Sequence, residues 1–182
     1  MAEEYLPVHP EYRVQGVKVD FALGYYDTQS EIPGSLQEHH RTPLCPLKGK
    51  KDDFLTCVPV EVKTGAGPTK NREVQLFIFG SAMLQVVEKW LSAQPNKTHQ
   101  EPPVVVALSI HNHLWQYYII CRALDVGQRN TEMPFLVYGP WPAGNTSTLL
   151  GVFKLVRFID VLRNWVVESW VPHFKTAAGN KR

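Results

Sequence analysis

In the first third of the chain apolar residues recur at every second position. Val17, Val19, Phe21 and Leu23 alternate with Lys18, Asp20 and Ala22, a period of two that predicts a strand over about 17–27. Val58, Val60 and Val62 alternate with Pro59, Glu61 and Lys63 and predict a second strand over about 55–64. Alternate side chains of a strand share a face. Cys57, Pro59, Glu61 and Lys63 therefore project together, with the valines turned the other way toward a core, and Asp20 lies opposite Val19, Phe21 and Leu23. Gly65-Ala66-Gly67-Pro68 then breaks the chain, without the Gly-Lys-Ser/Thr ending of a phosphate cradle. Beyond it the period changes to steps of three and four. Leu76, Phe79, Met83, Val86 and Trp90 form one stripe of a helix over about 70–93, stopped by Pro95, with Gln75 at the margin of the stripe.

The second half reads as three more strands and a closing helix. Runs at 104–110 and 115–122 are apolar enough for buried strands, and 111–114 reads as their hairpin connection. His111 and His113 are then polar turn residues, since no third metal ligand is in view. A strand at 134–138 is followed by a turn over 139–144, and Thr146 or Ser147 caps a helix over about 148–171. Val152, Leu155, Ile159, Leu162 and Val166 form its inner stripe, Arg157, Asp160, Asn164 and Glu168 its polar face, and Trp165 and Trp170 are packing aromatics. Residues 1–16 are irregular, with Pro7 and Pro10, and 175–182 form a basic tail. The long connection 28–53 ends in Lys48-Gly49-Lys50-Lys51-Asp52-Asp53, a solvated insertion whose basic end can also lie along a phosphate backbone. The expected fold is α/β, a single domain over 17–174 with a mixed central sheet of about five strands flanked by helices.

Composition narrows the class. A 182-residue chain with 44% apolar and 11% aromatic residues fits one domain with a packed core and excludes a disordered chain. The net charge of +2 neither provides a basic footprint nor excludes a nucleic-acid partner. Cys45, Cys57 and Cys121 are odd in number and lack ligand spacing, which reads as reduced thiols in an intracellular protein of cytoplasm or nucleus. Met1-Ala2-Glu3-Glu4 begins no secretory signal, so the sequons at Asn96 and Asn145 are expected to be unused. Lys154, Arg157, Asp160, Arg163 and Glu168 exclude a membrane span in the last helix. There is no internal repeat, no Gly-x-Ser-x-Gly and no Cys/His dyad signature.

The candidate chemistry lies in the first two strands and the helix after them. A strand with Asp20, a strand reading Glu61-Val62-Lys63 and a helix with Gln75 follow the order of parts in a metal-dependent phosphodiesterase core. Two carboxylates can hold a hard divalent cation. A lysine beside them can orient the attacking water or stabilise charge developing at phosphorus. On neighbouring strands, about 4.8 Å apart, Asp20 and Glu61 can share one ion. Taken alone, Glu-x-Lys is equally the sequence of a solvated ion pair on a sheet face, and Gln75 that of a helix residue facing water.

Over about residues 5–174 the chain resembles the PD-(D/E)XK nuclease-like superfamily, and within it the fungal nuclease-like branch. Val19-Asp20-Phe21 looks like the second catalytic motif, Val60-Glu61-Val62-Lys63 like the third, and Gln75-Leu76-Phe77-Ile78-Phe79-Gly80-Ser81-Ala82 like the helix that follows. The Pro102-Pro103 strand entry, the Trp115 strand and the closing helix with Trp165 and Trp170 are also similar. The resemblance implies a restriction-endonuclease-like core, Asp20 and Glu61 as ligands of Mg²⁺ or Mn²⁺, Lys63 as catalytic lysine, Gln75 as accessory helix residue, and DNA or RNA as substrate. The chain departs from that pattern in two places. The 28–53 insertion stretches the Asp20-to-Glu61 spacing, and only Glu3, Glu4 and Glu11 precede Asp20, so the first helix and its acidic residue are expected to be missing from a shortened N-terminus. Three functions follow: a metal-dependent phosphodiester hydrolase, a repurposed fold acting on a small molecule in fungal specialised metabolism, and a non-catalytic interaction module.

Overall fold

Each apolar run finds its partner in a single sheet whose strands lie in chain order. They are β1 (Phe21–Tyr26), β2 (Phe54–Lys63), β3 (Val104–His111), β4 (Leu114–Arg122) and β5 (Phe135–Asn145). The computed structural model describes residues 20–26, 54–63, 70–92, 103–123 and 134–174. The expectations for 1–19, the 28–53 connection, the Gly65–Pro68 break and the 175–182 tail fall outside the described residues. β1 pairs with β2, β3 with β4 and β4 with β5 antiparallel, while β2 and β3 are parallel. A parallel pair requires a crossover, and α1 (Lys70–Ser92) lies between the two strands in the chain. After β5, α2 (Leu149–Trp165) runs into a π-helical turn at Val166–Trp170 and a 3₁₀ turn at Val171–His173. This is the mixed five-stranded α/β sheet with flanking helices that the periodicity predicts.

The helices cover opposite faces. Val105, Ala107, Tyr118 and Ile120 are buried on the face beneath α1, where Leu76, Phe79, Met83 and Val86 supply the helix stripe as predicted. The side chain of Trp90 falls outside the described residues. Arg122 on β4 donates to both oxygens of Glu88 on α1, at 2.7 and 2.6 Å, a bidentate pair that ties helix to sheet. On the other face Tyr117 meets Trp141 of β5 and Phe158 of α2 at centroid distances of 5.4 and 5.0 Å.

Four local expectations are corrected. First, β5 continues through the predicted turn to Asn145. Gly139 (φ 124) and Gly144 (φ 158) absorb the bends, and the edge position leaves Pro140 and Pro142 with no N–H they must supply to a further strand. Second, Thr148, not Thr146 or Ser147, caps α2, its hydroxyl accepting from the Gly151 N–H at 3.1 Å. Third, the buried side of α2 is Gly151, Leu155 and Leu162, with Phe158 and Trp165 partly buried, whereas Val152 and Ile159 are exposed at 37% and 41%. The helix is apolar on two faces, so its period alone does not choose between them. The choice is made at Gly144, where a Cβ would stand 2.8 Å from the Gly151 carbonyl oxygen; the missing side chain allows the backbones to touch. Fourth, a register shift at Leu23/Gly24 leaves Cys57 without a partner in β1, so strict alternation along β2 is interrupted there.

Candidate active site

Glu61 and Lys63 end β2 on the face that α1 covers further down. The register places Glu61 beside Ser109 and Lys63 beside His111 on β3. Phe21 pairs with Val60, so the chain at Asp20, one residue ahead of β1, runs next to Glu61. The Val62 N–H donates to Asp20 Oδ2 at 2.8 Å and fixes that carboxylate at the strand end. Lys63 Nζ lies 2.6 Å from Glu61 Oε1 and 3.9 Å from Asp20 Oδ2. The two carboxylate oxygens are therefore no further apart than the sum of those lengths; an ion bound to both at about 2.0–2.6 Å requires them within about 5 Å of each other.

Burial distinguishes the three side chains. Glu61 is 2% exposed, Lys63 34% and Asp20 40%, so the cluster is closed at Glu61 and open at Asp20. Both Glu61 oxygens lack a hydrogen-bond donor, and the short contact with Lys63 is an ion pair without hydrogen-bond alignment. A buried carboxylate with unfilled acceptor sites is costly unless something positively charged completes it. A hard cation with oxygen ligands suits such a group. The donor set is small: among the described residues no three His, Cys, Asp or Glu side chains come together as a ligand group.

Gln75 is exposed on α1. Besides Glu88, the α1 side chain that bonds to the sheet is Glu73, whose Oε1 accepts from the Tyr118 hydroxyl at 2.6 Å. Burial, and then the hydrogen bond and charge of Glu73, push the Tyr118 phenol above its ordinary range. Sequence reading passes over this pair because Glu73 reads as a first-turn acid of a helix and Tyr118 as a core aromatic; only the packing of α1 on β4 joins them. His111 is likewise not in the turn but is the last residue of β3. The turn is Asn112-His113, with Asn112 at φ 53, and His113 Nδ1 lies 3.1 Å from the Thr146 hydroxyl. Cys57 is inert, since desolvation pushes its thiol up to about 12 against a smaller opposing backbone hydrogen bond at Tyr25.

The mixed sheet, the crossover helix after the Glu-x-Lys strand and the acidic residue just ahead of the adjoining antiparallel strand define a restriction-endonuclease-like core. A family model described as the PD-(D/E)XK nuclease superfamily matches residues 1–171. The chain belongs to that superfamily. No curated protein and no solved structure gives a match. No helix among the described residues is long and apolar enough to cross a membrane.

Proposed function

We propose that this chain is a divalent-metal-dependent phosphodiester hydrolase acting on DNA or RNA, with Asp20 and Glu61 as the ligands of Mg²⁺ or Mn²⁺. One observation carries the reading: a carboxylate 2% exposed, with no donor to either oxygen, contacting a lysine that also approaches a second carboxylate. A solvated ion pair needs no such burial. Held by Asp20 and Glu61, such an ion would supply Lewis-acid stabilisation and would lower the pKa of a water molecule. Lys63 holds a positive charge where negative charge grows on the phosphoryl oxygens, and its partial exposure leaves it open to substrate. Asp20, fixed by the Val62 N–H, orients its free oxygen without further reorganisation. Gln75 takes the accessory role that the resemblance implies, a side-chain amide contact from α1 to the substrate.

The test is a paired measurement of metal binding and cleavage. Glu61→Gln removes an anionic ligand and is expected to abolish both. Lys63→Ala is expected to keep Mn²⁺ affinity within a few-fold and to lower turnover about a hundredfold or more, since the lysine acts on water and phosphate. Chelator abolishes cleavage. Cleavage that survives both substitutions sinks the assignment. Metal binding without cleavage of any nucleic acid selects the small-molecule reading, and neither property the interaction module.

A further inference from the structure

Two rows of register partners cross the sheet at the carboxyl end of the parallel pair. One row is Glu61, Ser109, Gln116 and Pro142; the other is Lys63, His111, Leu114 and Asn145. Residues paired across neighbouring strands share a face. Lower on this face Ala107, Tyr118, Val105 and Ile120 are at most 2% exposed. On β2 and β3 the polar side chains of this face thus lie at the strand ends, where open α/β sheets bind ligands. The row through Lys63 ends at Leu114 and Asn145, which line a hollow of about 220 Å³ with Thr148, Gly151 and Lys154.

His111 occupies the middle of that row and is held there. The two-residue turn after it places Asn112 so that its N–H donates to the Lys63 carbonyl at 3.3 Å, clamping the end of β3 to the end of β2. His111 therefore stands one strand spacing, about 4.8 Å, from Lys63. It belongs to no three-residue metal-ligand group among the described residues. An imidazole presents at least one N–H donor in either protonation state, and N–H donors are the usual contacts to phosphate oxygens.

We infer that the substrate strand leaves the Glu61–Lys63 centre sideways along this row, with His111 holding the phosphate next to the one attacked. Leu114, 42% exposed beyond it, offers an apolar surface to the adjoining sugar or base. This rests on the phosphodiesterase reading above. It makes His111 a substrate contact and not a second metal ligand.

The experiment measures binding of a short fluorescein-labelled single-stranded DNA and of its RNA counterpart with Ca²⁺ in place of Mg²⁺, and steady-state cleavage with Mg²⁺. His111→Ala is expected to weaken binding about tenfold, to raise KM by a similar factor and to leave kcat within about threefold. His111→Gln, which keeps an N–H donor, restores affinity to within about threefold. Wild-type affinity in His111→Ala, or a loss confined to kcat, overturns the inference; if Glu61→Gln then still abolishes cleavage, the metal-centre reading stands without it. A wild-type chain that neither binds nor cleaves either nucleic acid overturns both.

Discussion

At the residue scale the cluster is asymmetric, and the asymmetry has consequences for stability. Glu61 is buried with unfilled oxygens while Lys63 reaches solvent. Removing the lysine leaves an uncompensated buried charge; removing the carboxylate charge leaves an ammonium that water can reach. In chelator, Lys63→Ala is therefore expected to cost about 1–2 kcal/mol more than Glu61→Gln. Urea melts of the two variants check this, and equal midpoints would show that Glu61 is not held as a charge. Added Mn²⁺ should recover part of the Lys63→Ala loss, because an ion bound only by the folded state stabilises it. Cys57 gives a second prediction. Its thiol is raised from an ordinary value of 9.0 to about 12 by burial, so the folded state favours the protonated form. That contribution is complete below pH 9 and is lost as pH rises toward 12. Stability measured from pH 8 to 11 should fall more steeply in wild type than in Cys57→Ala; identical slopes would place the thiol in contact with water.

At the scale of elements, helix α1 and the α2–β5 contact are held differently. Phe79 is 2% exposed in the α1 stripe, and Phe79→Ala is expected to destabilise by about 3–5 kcal/mol. A loss below about 1 kcal/mol in a denaturant melt would show that the stripe does not face the sheet. The other contact depends on an absent side chain. At Gly144 a Cβ would meet the Gly151 carbonyl oxygen at 2.8 Å and the Leu155 nitrogen at 2.9 Å, backbone atoms that cannot rotate away, on a residue at φ 158. Gly144→Ala is expected to cost about 1–3 kcal/mol and to loosen α2 selectively, which near-ultraviolet circular dichroism of the Trp141, Tyr117 and Phe158 cluster would register. An unchanged spectrum and midpoint would mean that α2 docks by its side chains alone. The α1 stripe was legible in the spacing of Leu76, Phe79, Met83 and Val86. The α2 face was not, because Leu149, Val152, Val156 and Ile159 repeat at the same steps as the buried set and differ only in what they meet.

At the scale of the whole molecule, the parallel pair lies inside the sheet and, among the described residues, the edges are β1 and β5. Phe21 is 63% exposed on β1, and β5 carries Pro140 and Pro142 with exposed Leu136, Val137 and Tyr138. Amide exchange should therefore be slowest in β2, β3 and the buried half of β4, and faster at both edges. Hydrogen-exchange mass spectrometry checks the order, and an edge strand as protected as β3 would reveal a further covering element. The same arrangement puts the candidate centre at the end of the best-held strands, with Glu61 and Lys63 on β2 and their register partners on β3. Ligands on rigid strands keep their geometry without ordering cost at the moment of binding.

By itself the sequence determined the local periods: alternation in β1 and β2, the apolar runs of β3 and β4, the helical spacing of α1, and the order in which Asp20, Glu61 and Lys63 follow one another. Those signals are local, because a period of two or of 3.6 states which side chains of one element share a face. Tertiary structure alone decided which faces meet. It aligned Asp20 with Glu61 across an antiparallel pair, buried Glu61 while leaving Lys63 open, moved His111 from a turn to the strand end beside Lys63, joined Glu73 to Tyr118, and chose one of two apolar faces of α2. Each of these depends on hydrogen-bond register or close packing between residues far apart in the chain, and no periodicity within a single element carries that information.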